Sequence, residues 1–87
     1  MPAASVKVAY TGTAGTTAAV SANAVAVRIV ATTDCFIEIS TAGTAAVADT
    51  GLYLPALVPE YFSCPPSAKV SAIQVSSGGT VYVTPFA

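Results

Sequence analysis

An all-β fold, a single β-sandwich of about eight short antiparallel strands wound in a jelly-roll-like way, is what this 87-residue sequence predicts. Three observations carry that expectation. Short segments rich in Val, Ile, Thr and aromatics alternate with clusters of Gly, Pro, Ser and Ala-Gly. No window shows the apolar stripe of period 3.6 that marks an amphipathic helix. Turn signals recur about every 8–12 residues, which is the spacing of sandwiches and barrels and too tight for strand-helix-strand units.

The strands are expected, in order, over residues 5–11, 17–21, 25–31, 34–40, 51–54, 60–63, 69–76 and 80–84. The third shows strict alternation: Val25, Val27 and Ile29 fall on one face and Ala26, Arg28 and Val30 on the other. In the fourth, Cys35, Ile37 and Ile39 oppose Phe36 and Glu38. One face of each strand is therefore core. The other mixes Val30 and Phe36 with Arg28 and Glu38, a pattern that suits a second layer or a subunit contact better than open water.

Turn chemistry sets the boundaries. Thr32-Thr33-Asp34 reads as a short hairpin turn between two buried strands. Ser77-Gly78-Gly79 reads as a tight hairpin, because glycine reaches the positive φ of primed turns. Pro65 and Pro66 lack N–H donors and keep residues 64–67 out of any interior strand, while Pro55 and Pro59 bracket a bend. Thr13-Ala14-Gly15-Thr16 is echoed by Thr41-Ala42-Gly43-Thr44, which reflects shared loop chemistry and not a duplication. The second copy opens the longest stretch without strand character, residues 41–50, and its small residues make it the expected contact loop, either free or laid across a neighbour.

A chain of this length has room for one domain, residues 1–87, with residues 1–4 expected as a flexible N-terminal arm. Charged residues make up only 8% of the chain: Lys7, Arg28 and Lys69 against Asp34, Glu38, Asp49 and Glu60, a net charge of -1 with no His. Soluble monomers usually carry about 25%. Although 54% of residues are apolar, 18 are Ala, so association is argued from the missing charge and not from a surplus of large hydrophobics.

These numbers also exclude functions. Three scattered cations cannot neutralise a run of phosphates, so no nucleic-acid partner is expected. The longest uncharged stretch, between Lys7 and Arg28, is broken by Gly12, Gly15, Asn23 and several Thr and Ser residues, so no membrane partner is expected either. Met1-Pro2-Ala3-Ala4 starts no secretion signal, and folding in a cytoplasm is expected. There Cys35 and Cys64 are expected as free thiols, and neither their spacing nor their surroundings make a metal site.

Catalytic chemistry is not readable. Without His, a serine or cysteine nucleophile lacks its usual base, and Asp34 and Glu38 have no partner role, so no catalytic, cofactor-binding or metal residues are assigned and no enzyme is expected. Tyr10, Tyr53, Tyr61 and Tyr82 are expected to pack in the core or an interface. Their alternative use is an aromatic platform for a glycan.

The segment from Val27 to Ile39, with Leu52-Tyr53-Leu54-Pro55-Ala56, Pro59-Glu60-Tyr61-Phe62 and Gly79-Thr80-Val81-Tyr82-Val83-Thr84, resembles small virion structural proteins of tailed bacteriophages, some of which are capsid cement or decoration proteins. The resemblance spans residues 24–85 and rests on strand patterns. It implies a β-sandwich subunit, a homotrimer seated on the outer capsid surface, with the major capsid protein as partner and the virion as location. A head-fibre base or a neck or tail protein is the alternative within the virion. Phe36, Leu54, Pro55, Glu60, Tyr61 and Phe62 serve in the resemblance as markers of fold, with no binding role assigned.

Overall fold

The computed structural model describes residues 5–47 and 51–86. Residues 1–4, the expected arm, lie outside the described residues, as does Asp49. Among the described residues there are eight strands and no helix: β1 (Val6–Tyr10), β2 (Gly15–Thr16), β3 (Ala26–Ala31), β4 (Cys35–Ser40), β5 (Leu52–Leu54), β6 (Glu60–Ser63), β7 (Lys69–Gln74) and β8 (Gly79–Phe86). They form two four-stranded antiparallel sheets packed face to face. Sheet A has the order β1-β8-β3-β6 and sheet B the order β2-β7-β4-β5.

The alternation seen in the sequence is what makes two layers possible. Val27, Ile29 and Ala31 of β3 and Val81 and Val83 of β8 point inward from sheet A. Cys35 and Ile37 of β4, Val70 and Ala72 of β7 and Leu54 of β5 meet them from sheet B, and all ten are buried. Each buried aliphatic side chain contributes roughly 1.5–3 kcal/mol of transfer free energy, and the facing alanines let the layers close without a void. Phe62, Ile39, Val6, Val8 and Cys64 ring this centre, half-buried.

The wiring follows one rule: β1 pairs with β8, β2 with β7, β3 with β6 and β4 with β5. The chain is a long hairpin rolled up on itself, so among the described strands β4 and β5 are the only consecutive pair that are neighbours. Both expected tight hairpins are therefore corrected. Residues 32–34 carry the chain from β3 in sheet A to β4 in sheet B, and residues 75–78 carry it from β7 in sheet B to β8 in sheet A. These are arches between layers.

The glycines of the second arch serve space and not a primed turn, since Gly43 is the glycine with positive φ among the described residues. A Cβ on Gly79 would stand 2.5 Å from Thr33 Oγ1, 2.6 Å from Thr32 Oγ1 and 2.9 Å from the Tyr10 hydroxyl. One on Gly78 would stand 2.9 Å from the Tyr10 carbonyl oxygen. The two arches and the end of β1 meet where no side chain fits.

Two further strand assignments change. The strand expected at 17–21 is instead the two-residue β2, because the Thr17 hydroxyl accepts from Val70 N–H at 3.1 Å and donates to the Ala18 carbonyl at 2.8 Å. Residues 17–20 still run beside sheet B, held by Thr17 N–H to Val70 O and Val20 N–H to Ala68 O, both 2.8 Å, without a regular ladder. At the other end, β8 continues through Pro85 to Phe86. Thr32 N–H donates to Thr80 O, so the even-numbered residues of β8 bond to β3 and the odd-numbered ones face β1. Pro85 carries no N–H for the ladder on the side of β8 that faces β1, whose described pairing ends at Val83.

Candidate interaction surfaces

Register across sheet A places side chains that lie far apart in sequence in common rows on its outer face. Lys7, Tyr82 and Val30 stand side by side in one row, and Thr84, Arg28 and Tyr61 in the next. Phe86, Ala26 and Ser63 complete a third. The rings of Tyr61 and Phe86 are tilted at 40° with centroids 6.0 Å apart, Tyr61 directly opposite Arg28 and Phe86 one row away on the other side of β3. Tyr61 is 67% exposed and Tyr82 40%. Ser5 and Thr84 hydroxyls share a 2.9 Å hydrogen bond at the margin. Two of the three cations of the chain thus share a face with three aromatic rings, and no acidic residue occupies any of these positions.

The outer face of sheet B is partly roofed by the chain itself. From the end of β4, residues 41–47 cross it: Thr44 N–H donates to Ser40 Oγ at 2.9 Å, and Ala46 N–H donates to Ser71 Oγ at 2.9 Å. Ser71 is fully buried although it points away from the core, because this strap covers it. The expected contact loop lies across its own sheet as far as residue 47; its last residues, 48–50, fall outside the described residues. Beyond the strap Phe36 and Tyr53 make an edge-to-face pair with centroids 5.7 Å apart. Glu38 shares the row of Ser71 and is half-buried.

The four tyrosines do not gather into one platform. Tyr10 is buried at the end of β1, Tyr53 lies on the outer face of sheet B, and Tyr61 and Tyr82 lie on sheet A two strands apart. The Tyr10 hydroxyl donates to Thr33 O at 2.7 Å and accepts from Thr33 N–H at 3.3 Å, and burial pushes its pKa up. Tyr53 is also pushed up, first by a hydrogen bond to the Asp34 carboxylate. The other oxygen chemistry of Asp34 is structural: Oδ1 accepts from Ala56 N–H at 2.7 Å and pins the bend between β5 and β6.

That bend holds an unusual residue. Leu57 has φ of 61°, a left-handed conformation that costs a branched side chain about 1–2 kcal/mol, yet it is 73% exposed. Its N–H donates to Ala31 O at 2.8 Å, and Ala56 forms a parallel bridge to Ala31, so the end of β3 dictates the conformation.

Cys35 and Cys64 are free thiols. Cys35 is buried beside Tyr10, and Cys64 is half-buried at the opposite end of β3, where its N–H donates to Val25 O. Burial raises the pKa of both. Among the described residues, no three His, Cys, Asp or Glu side chains stand together as metal ligands, and no helix is long and apolar enough to cross a membrane.

Sequence reasoning placed Arg28 and Val30 on a non-core face but missed that Lys7, Tyr61, Tyr82 and Phe86 join them, because period-two alternation gives parity within a strand and not register between strands. It also missed Leu57, for which only the flanking Pro55 and Pro59 were a signal. No family model, curated protein or solved structure matches this chain.

Proposed function

We propose that this chain is a structural protein of a tailed-phage virion, a capsid cement or decoration protein that binds the outer surface of the shell and holds neighbouring capsomers together. The observation that carries the reading is the outer face of sheet A, where exposed Tyr61 and Tyr82 stand with half-buried Phe86 and Val30 in a chain that has only 8% charged residues. Leu57 and Val25, 73% and 62% exposed, extend the apolar exterior beyond that face. The pairing of first strand with last, second with seventh and so inward supports a jelly-roll-like reading of the sandwich, an architecture used by capsid proteins among others. Fold alone does not assign the role. The resemblance in strand pattern supplies the phage context.

A cement protein works by differential binding. It binds the closed shell better than separated capsomers, so each copy adds that difference to the work of pulling them apart. A homotrimer raises the effective concentration of the second and third contacts and lets one particle bridge three capsomers. The test is quantitative mass spectrometry of purified particles together with heat challenge of particles lacking the protein. Hundreds of copies and lost heat resistance are expected. About a dozen copies or fewer place the chain at a head fibre, neck or tail, and absence from particles rejects the reading.

A further inference from the structure

We infer that the outer face of sheet A is the surface that docks on the capsid shell, and that it seats on a site where carboxylates stand among apolar side chains. The inference rests on the cement reading above and assigns it a face and a chemistry.

Charge separation is the first argument. Lys7 and Arg28 are on this face with no acid among them, while the described acids lie elsewhere: Glu38 on the outer face of sheet B, Asp34 in the arch, and Glu60 on the rim opposite Ile29. A chain of net charge -1 therefore presents one cationic, aromatic side. Arg28 stands between Thr84 and Tyr61 on neighbouring strands and is half-buried, so it projects from a rigid element and not from a loop. A planar fork so placed matches a carboxylate through two parallel hydrogen bonds, and the neighbouring rings of Tyr61 and Phe86 exclude water from that contact.

A second copy of the chain is a poor occupant. A two-fold contact of this face with itself gathers the Lys7 and Arg28 of both copies into one interface that has no acid on the described face to pair them. A head-to-tail contact needs an acidic patch, but among the described acids Glu38 is half-buried in the row crossed by the strap, Asp34 Oδ1 is already engaged by Ala56 N–H, and exposed Glu60 stands alone on the rim. A nucleic acid would require more than two cations. An acidic, partly apolar protein surface remains, and in the cement reading that surface belongs to the shell.

The experiment measures binding to purified heads of the cognate phage that have been stripped of this protein. Wild type, Arg28→Glu, Lys7→Glu and, as a control on sheet B, Lys69→Glu are compared at low and physiological salt, with circular dichroism and sedimentation recorded for each. Affinity is expected to fall about tenfold or more for Arg28→Glu and for exposed Lys7→Glu, with folding and oligomeric state unchanged and Lys69→Glu binding as wild type. Should Arg28→Glu unfold, Arg28→Gln and Lys7→Glu carry the test. Wild-type binding that survives both reversals overturns the assignment of the face alone. Reversals that dissolve the oligomer instead overturn it in favour of a subunit contact. No binding by wild type overturns the cement reading and this inference together.

Discussion

The hydroxyl of Tyr10, at the end of β1 in sheet A, donates a 2.7 Å hydrogen bond to the carbonyl of Thr33, in the arch that leads into sheet B. The same oxygen accepts from Thr33 N–H, and Thr33 Oγ1 donates in turn to Ser77 O of the second arch at 3.1 Å. One phenol thus ties a strand to both arches at one end of the sandwich. Tyr10→Phe keeps the buried ring and removes only these bonds, so a loss of about 1–2 kcal/mol is expected in urea unfolding at unchanged m-value. Tyr10→Ala adds a cavity and is expected to cost about 3–5 kcal/mol.

Gly79 sits against that node. Gly79→Ala places a methyl group where Thr32, Thr33 and Tyr10 oxygens already crowd, and overpacking of this kind costs about 1–3 kcal/mol. Gly12→Ala, whose new Cβ meets nothing closer than the Gln74 amide at 3.7 Å, is the control and is expected to change stability little. Equal effects at the two sites would contradict the packing argument.

Ser71 holds the strap. Ser71→Ala leaves the buried N–H of Ala46 without an acceptor, at a cost of about 1–3 kcal/mol. Because the lost bond is local, amide exchange at Ala46 and proteolysis within residues 41–50 should accelerate more than global unfolding does. Uniform acceleration everywhere would show that the strap opens only with the whole domain.

Leu57 offers a gain. Asn tolerates left-handed backbone, and the side chain of Leu57 is 73% exposed, so Leu57→Asn is expected to stabilise the isolated protein by about 0.5–1 kcal/mol. Leu57→Val, branched at Cβ, is expected to destabilise it by a similar amount. Thermal midpoints of the two variants should lie on opposite sides of wild type.

The buried thiol of Cys35 makes stability depend on alkali. Its pKa is raised in the folded state, first by burial, so above the ordinary thiol value of about 8.5 the unfolded chain releases its proton while the folded chain keeps it. The contribution is therefore complete below that pH and is lost as pH climbs toward the raised value. Cys35→Ala should flatten the fall in stability above about pH 8.5, whatever its effect at pH 7. Iodoacetamide at pH 8 should label half-buried Cys64 faster than Cys35.

Local chemistry was legible in the sequence, and connectivity was not. Strict alternation in β3 and β4 assigned Val25, Val27, Ile29, Cys35, Ile37 and Ile39 to the core; Val27, Ile29, Cys35 and Ile37 are buried and Ile39 is half-buried, whereas Val25 precedes β3 and is 62% exposed. The boundaries of β6 at Glu60–Ser63 followed from Pro59 and Pro65. Yet Ser77-Gly78-Gly79 carries the residues of a tight hairpin and makes an arch, because a two-residue turn and a layer change draw on the same small, permissive residues. β2 escaped because the side chain of Thr17 replaces a ladder bond, an effect that depends on Val70, 53 residues away. The cationic, aromatic face shares that cause. It exists only after β1, β8, β3 and β6 are in register.

β8 is the last of the eight strands to be synthesised, and it sits between β1 and β3. Sheet A cannot close on a nascent chain until residues 79–86 have left the ribosome, and every neighbour of β1 in its sheet waits for them. Such a molecule assembles late and all at once, in milliseconds to seconds and not microseconds, since distant segments must find each other before any ladder repays the lost entropy. A stop codon placed before Gly79 should therefore yield not a slightly shortened protein but insoluble, protease-sensitive chains.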